Sequence, residues 1–284
     1  MNRRILITHK PQDSKSLRIL EKLKSRLQYE KIDFLISTQL SEINAQGFSD
    51  LVVIGGDGTL NHTINQLSLI DLPIGIIPAG SGNDFIKSVN IGNSLQEHIE
   101  TALNGSIRHI DLGKVNNHYF INGLGLGFDG QIAHEFNNNR TFLRGHAAYY
   151  YHVLKVLGGY KPKILKFEID GKPFEEMVFL FAIMNGTTFG GGFKLGPHAR
   201  LDDGKFAICL IKNLKPLKRF LNLGLLKDGT HDRLEEVEFL EGSNIKIHHQ
   251  PEMIAHIDGE VIGTPPFEVR VLRRELILKV GSLV

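Results

Sequence analysis

The stretch that most constrains this chain is "DLVVIGGDGTLNHTINQL", residues 50–67. Apolar and β-branched residues run up to Ile54. Two glycines, an aspartate, a glycine and a threonine follow, and apolar residues then return at helical spacing. A strand that hands over to a helix through such a turn belongs to a βαβ unit, and hence to a parallel sheet. In a parallel sheet, ligands bind outside the carboxyl ends of the strands. Glycines let the chain turn sharply and let a ligand approach the main chain. Unpaired N–H groups at the start of the helix favour an anion such as phosphate. Asp57 contradicts that purpose unless a divalent cation lies between carboxylate and phosphate, and Mg²⁺ is usually held by one or two carboxylates plus phosphate oxygens. Gly55, Gly56, Asp57, Gly58, Thr59 and Asn61 are therefore candidate nucleotide-phosphate residues. The GK[ST] ending of a Walker loop is absent.

The surrounding pattern supports this setting. Over the first 110 or so residues, strand-like runs ("RRILITH", "KIDFLIST", "DLVVIGG", "LPIGIIPAG") alternate with helix-like ones. The helical "SKSLRILEKLKSRLQYE" carries Leu17, Leu20, Leu23 and Leu27 at helical spacing. "SLQEHIETALNG" is closed by Asn104-Gly105. After Asp111 the spacing shortens, periodicity is often two, and "DG", "GK" and "NN" turns separate strand-like runs, the signature of an antiparallel sandwich or barrel. Two helical stretches interrupt it, "TFLRGHAAYYYHVLKVLGG" and "PLKRFLNLGLLKDG". The expectation is an α/β domain over 1–112 and an all-β domain over 113–284.

Two further acids follow strand-like segments: Asp84 in the glycine-rich "PAGSGNDF" and Asp111 in "IDLGKV". "GGDGTLN" followed by "IPAGSGNDF" resembles the diacylglycerol kinase catalytic-domain family, specifically its bacterial soluble lipid kinases. The resemblance runs nearly the whole chain. It continues through "INGLGLGFDG", "NGTTFGGGFKLGPHARLDDGKF" and "HIDGE", in the family's order. It implies a doubly wound ATP-binding domain, a β-sandwich lipid-substrate domain and a cleft between them, with ATP and Mg²⁺ as cofactors. By the same resemblance, residues Gly55 to Asn61 cradle the nucleotide phosphates, with Asp57 counted as catalytic, and Thr38 and Ser81 touch ATP. Asp57, Asp84 and Asp111 form an acidic network around Mg²⁺, Lys15 bridges acids within it, and Glu260 is the general base. Arg200, Asp203 and Lys205 align with a second, structural Mg²⁺ site formed partly through main-chain carbonyls. A base of this kind contributes typically 10²–10⁴-fold to attack by a hydroxyl. The chain departs from the family at "HKPQDSK", where Lys10 and Ser14 replace asparagine and glycine. His62 replaces a glutamate, Ser81 a threonine and Lys205 a tyrosine.

Composition narrows the alternatives. A net charge of +2 gives no electrostatic case for nucleic acid. The single cysteine, Cys209, sits in the apolar run "FAICLI" and suits a reducing compartment. No apolar run approaches the ~20 residues of a membrane span. The expected setting is therefore cytoplasmic and peripheral to the membrane, with a lipid substrate met at the bilayer surface and a homodimer left open. "GLGLGF" reads as tight strand packing, with no clear helix after it. His248, His249 and His256 lack metal-ligand spacing and read as solvated or turn histidines. The two basic-apolar helical stretches read as ordinary helices with a core face, with membrane contact through Lys218 and Arg219 as the functional alternative. Two rival functions stand beside a lipid kinase: a "GGDGT" kinase of NAD or another soluble substrate, and a non-catalytic lipid-binding regulator on a kinase scaffold.

Overall fold

The computed structural model describes residues 3–67, 71–80, 82–139 and 146–281. The chain forms two compact units, Met1–Ile110 with Arg274–Val284, and Asp111–Arg273.

In the first unit β1 (Arg4–His9), α1 (Ser14–Tyr29), β2 (Asp33–Ile36), β3 (Asp50–Gly55), α2 (Asp57–Gln66), β4 (Ile74–Pro78), a 3-10 turn (Phe85–Ser88) and α3 (Leu95–Asn104) follow one another. β5 (Ser106–Val115) then leads the chain out of the unit. The strands are parallel in the order β2-β1-β3-β4. The end of the last strand (Phe267–Val280) lies beside β4, also parallel, with Leu278 opposite Ile74. β3 is buried along its whole length, as a central parallel strand covered on both faces must be, whereas β2 alternates exposed and half-buried positions as an edge strand does. Asp13 caps α1 by accepting the Ser16 N–H. The buried stripe of α1 is Ser16, Ile19, Leu20, Leu23 and Leu27, while Leu17 is 42 % exposed. Ile19, not Leu17, completes the core face, because the stripe needs adjacent i, i+1 and i+4 positions rather than a leucine ladder. These side chains pack on Ile5, Ile7, Val52, Ile54 and Ile77. Ser94 and Glu97 form a capping box at the start of α3.

In the second unit β6 (His118–Phe120) and β7 (Gly123–Gly127) are followed by α4 (Phe128–Asn138), α5 (His146–Gly159), β8 (Lys163–Ile169), β9 (Lys172–Met184), β10 (Phe206–Lys212), α6 (Pro216–Leu221) and α7 (Leu223–Asp228). β11 (Val237–Gly242), β12 (Asn244–Ile247), β13 (Ala255–Ile257), β14 (Glu260–Gly263) and β15 (Phe267–Val280) complete it. Pairing is antiparallel in the order β14-β13-β7-β9-β8-β12-β15, and β10 joins β9 to β11. β9 is the spine. Its "VFLFAIM" half is wholly buried and splits by period two. Phe181 and Ile183 enter one core with Phe167, Phe206 and Ile245. Leu180, Ala182 and Met184 enter another, covered by Phe128 and Ile132 of α4 and Val153 and Leu157 of α5. α4 was not foreseen; it begins immediately after the "GLGLG" strand, with Asp129 in its first turn.

Candidate active site

The order β2-β1-β3-β4 places the topological switch point of the first unit between β1 and β3, the place where open parallel sheets bind ligands outside the carboxyl ends of their strands. The Lys10 N–H donates to Ile54 O across that point over 3.1 Å. Lys10 follows β1, Lys15 lies in the first turn of α1, Thr38 follows β2, residues 55–61 join β3 to α2, and Asp84 follows β4. Thr38 and Lys15 are exposed, and Ser81 lies outside the described residues. The Ser16 N–H holds the Asp13 carboxyl below its usual range, aided by the nearby Lys10 and Lys15 cations.

The glycines of the two turns divide into two kinds. A Cβ at Gly55 would overlap the side chain of Thr59, and one at Gly80 would lie 2.7 Å from Gly56 Cα and from Asn83 Oδ1. Gly55 thus makes room for the Thr59 side chain, and Gly80 lets its turn touch the main chain of Gly56. A Cβ at Gly58 or Gly82 would meet nothing within 4 Å. Gly58 does not have a positive φ, so neither packing nor backbone conformation explains it. Gly58 lies in the first turn of α2, where alanine would favour the helix by roughly 0.5–1 kcal/mol. An open glycine at a helix N-terminus suits a phosphate group resting against the main chain.

Asp57 accepts the Asp84 N–H on Oδ2 (2.6 Å) and the Phe85 N–H on Oδ1 (3.3 Å), while Asp84 Oδ1 accepts from Lys87 Nζ at 2.6 Å. Two carboxylate-bearing residues are thus brought together at the N-terminus of α2. Among the described residues no three His, Cys, Asp or Glu side chains form a metal cage. Mg²⁺ does not require one: its preference for hard oxygens, with most positions taken by water and substrate phosphate, fits Asp57 and Asp84. Asn61 is buried at 2 % exposure and accepts from Asn65 through its carbonyl oxygen, so that oxygen serves the helix.

In the second unit Asp111 is completely buried and is wrapped by the "LDDG" loop. Its N–H donates to Leu201 O, its Oδ2 accepts the Gly204 N–H at 2.6 Å, and its carbonyl accepts from Asn185 Nδ2. The structure therefore gathers Asp111 with Arg200, Asp203 and Lys205. Arg200 and Lys205 are exposed, and Lys205 Nζ pairs with Glu241 at 3.0 Å, which leaves only main-chain oxygens of those two cations as metal ligands. Asp203 Oδ1 accepts the Lys205 N–H.

Glu260 is exposed on the first residue after a two-residue turn. Asp258 and Gly259 have φ of 48° and 92°, the paired left-handed residues of a tight hairpin between β13 and β14. Asp258 accepts N–H bonds from Ile121, Asn122 and Gly123 at 2.9–3.0 Å. His256 is buried, not solvated: its Nε2 faces Asp129 Oδ2 at 2.9 Å, and its Nδ1 accepts the Gly259 N–H. The middle glycine of "GLGLG", Gly125, lies beneath this pair, and a Cβ there would overlap both side chains. The tight-packing reading of the motif thus has a specific cause. Sequence reasoning missed Asp129 and His256 because their partnership spans 127 residues. Neither residue carries a local signal, because the run after "GLGLG" shows no clear helical pattern.

Arg219 agrees with the reading of its helix as an ordinary one with a core face and takes no part in the membrane-contact alternative. It is 4 % exposed and donates to the carbonyls of Leu214, Leu157 and Tyr160, with its guanidinium 4.3 Å from the Phe179 ring centroid. Lys218 pairs with Glu236 at 2.7 Å. The exposed groups of α6 are apolar: Leu217, Phe220 and Leu221 at 71, 44 and 75 %. No described helix is long and apolar enough to cross a membrane.

Residues 11–115 match the diacylglycerol kinase catalytic domain, and residues 123–280 match the YegS C-terminal NAD kinase beta sandwich-like domain. A diacylglycerol kinase of Bacillus subtilis (strain 168) is 31% identical over 234 residues, covering 81% of this chain and 77% of the relative. One from Staphylococcus aureus (strain JH9) is 28% identical over 293 residues, covering 97% and 92%. A crystal structure of a Bacillus anthracis str. Sterne diacylglycerol kinase superposes with a TM-score of 0.71 at 19% identity, covering 99% of this chain and 97% of the other. Yeast NADH kinase shares the fold at a TM-score of 0.58 and 12% identity, over 99% and 84%. With both units matched and a relative above 30% identity over most of its length, the chain belongs to the diacylglycerol kinase catalytic-domain family, with that family's YegS-type C-terminal domain.

Proposed function

We propose that this protein is an ATP- and Mg²⁺-dependent kinase that transfers the γ-phosphoryl group to a hydroxyl of a lipid, with diacylglycerol as the leading acceptor. The observation that carries the reading is the pair of open glycines, Gly58 and Gly82, beside Asp57 and Asp84 at the carboxyl edge of a parallel sheet. The named activity of the curated relatives supports the choice of acceptor.

In this reading the 55–61 turn and the N-terminus of α2 bind the nucleotide phosphates. Asp57 and Asp84 hold Mg²⁺, which when bound neutralises phosphate charge during transfer. Thr38, Ser81 and Lys15 contribute to the nucleotide site, and the Asp111 loop forms the second cation site. Glu260 accepts the proton of the lipid hydroxyl, whose unperturbed pKa lies far above neutrality. The lipid is met at a bilayer surface, with Leu217 and Leu221 of α6 as the inserting groups in place of Lys218 and Arg219. Vesicle flotation of a Leu217→Ser/Leu221→Ser variant checks that contact; undiminished flotation rejects it.

The deciding experiment is phosphorylation from labelled ATP against diacylglycerol, other hydroxylated lipids and NAD. Mg²⁺-dependent labelling of a lipid supports the reading. Labelling of NAD alone, or of nothing while ATP binding persists, overturns it.

A further inference from the structure

The turn that presents Glu260 is held by hydrogen bonds to both of its main-chain N–H groups, to the Gly259 carbonyl and to the Asp258 side chain. The Asp258 N–H donates to Gly123 O, and the Asp258 carboxylate gathers three N–H groups from residues 121–123. The Gly259 carbonyl accepts from Asn137 Nδ2 at 3.1 Å. The Gly259 N–H donates to His256 Nδ1 at 3.1 Å.

That last bond determines the state of the imidazole. A ring nitrogen that accepts a main-chain N–H carries no proton, so the proton resides on Nε2 and is donated to Asp129 Oδ2 at 2.9 Å. Asp129 sits in the first turn of α4, where a carboxylate is favoured. Phe189 stacks on the ring at 5.2 Å and 25°. Phe189 is itself fixed by the "GGG" that follows it. Gly190, Gly191 and Gly192 all have positive φ, and Phe189 and Phe193 exchange main-chain hydrogen bonds of 2.7 and 2.8 Å across them. A buried polar pair of this kind gives little net stability over an apolar pair of similar shape. Its worth lies in direction.

We infer that His256, held by Asp129 and Phe189, is a positioning residue for Glu260: it fixes the Asp258-Gly259 turn so that the carboxylate of Glu260 is presented in one orientation. This inference rests on the assignment of Glu260 as general base. It also gives a purpose to two sequence features that the nucleotide site leaves unused, the middle glycine of "GLGLG" and the "GGG" loop. A side-chain carboxylate displaced by about 1 Å from its working position costs a reaction on the order of 10²-fold.

The test is a kinetic double-mutant cycle on the full chain with MgATP and diacylglycerol-containing vesicles. His256→Leu removes both ring hydrogen bonds. Its kcat is expected to fall about 10- to 100-fold with the KM for ATP unchanged, and in the Glu260→Gln background it is expected to add little further loss, because the group it orients is already gone. Asp129→Asn keeps an acceptor for Nε2–H and is expected to retain most of the turnover. Asn137→Ala, an exposed change on α4, covers the case in which His256→Leu does not fold; a smaller kcat loss that again vanishes beside Glu260→Gln supports the inference. Losses at His256 and Glu260 that multiply, or a His256→Leu or Asn137→Ala effect confined to KM, overturn it. Glu260→Gln with normal kcat removes the base assignment itself, an outcome distinct from either of these.

Discussion

The main-chain N–H of Asp84 rests on Asp57 Oδ2 at 2.6 Å, so the turn after β4 hangs from the side chain that opens α2. One carboxylate therefore has two tasks: it ties two glycine-rich turns together and places a hard oxygen at the phosphate end of a helix. Asp57→Asn keeps the shape but replaces one acceptor oxygen with an amide that repels the N–H groups it faces. The expected result is a loss of about 1–3 kcal/mol of stability and a fall in kcat/KM of about 10²–10³-fold. Thermal melts and steady-state assays read the two effects separately.

The two kinds of glycine predict opposite outcomes for the same small substitution. Gly58→Ala has room for its methyl group and a helix to stabilise, so the apoprotein is expected to melt slightly higher while binding ATP more weakly. Gly80→Ala pushes on Gly56 Cα and Asn83 and is expected to lose both stability and binding. Calorimetry of each variant with and without MgATP distinguishes them. Unchanged nucleotide affinity in Gly58→Ala removes the argument for a phosphate at that helix end.

At the other end of the first unit's sheet, Asp50 and Lys279 are both buried and form an ion pair, with Arg3 and Ser49 also on the carboxylate. Burial alone raises the Asp50 pKa, but the bonds from Lys279, Ser49 and Arg3 outweigh it and hold the carboxyl below its ordinary value. A folded-state pKa below the unfolded one gives stability that is complete above about pH 4 and is lost as pH falls through the folded value. Asp50→Asn is expected to cost roughly 3–5 kcal/mol at neutral pH, since it leaves Lys279 buried without its counter-charge. It should also flatten the acid limb of a melting-temperature profile below pH 4; an unaltered acid limb contradicts the assignment.

Tyr160 gives a prediction of the other sign. Its hydroxyl is buried with no hydrogen-bond partner among the described residues, and burial, with a smaller effect from Glu252, pushes its pKa up to about 12. An unpaired buried hydroxyl costs about 1–3 kcal/mol. Tyr160→Phe is expected to be neutral or stabilising by about 1 kcal/mol in chemical denaturation; a clear loss shows that the hydroxyl has a role the packing does not display.

The sequence made some of this architecture legible and hid the rest for definable reasons. Strand-to-helix alternation and the two glycine-rich turns lie within short windows, and the parallel unit, the motif order and the Asp57 and Asp84 turns emerged from them. The sequence of α4, "FDGQIAHEFNN", carries a glycine and closing asparagines that mimic a loop. Its helix is secured instead by Phe128 and Ile132 packing into a core with residues of β9. His256 and Arg219 are polar residues whose burial depends on partners far along the chain, such as Asp129 and the Leu157 carbonyl. Local periodicity registers charge, not distant partners. The passage of the last strand into the first unit left no mark either, because "FEVRVLRRELILKV" has no break where its neighbours change.

That passage sets an order on biosynthesis. Residues 111–273 form a contiguous stretch, whereas the unit begun by residues 1–110 is completed only by residues 274–284, which are translated after the whole of the second unit. Until Leu278 arrives beside Ile74, one border of β4 is bare and Asp50 waits for its lysine. The half translated first is thus the half that matures last, and a protein cut after residue 110 would display a sticky strand edge prone to self-association.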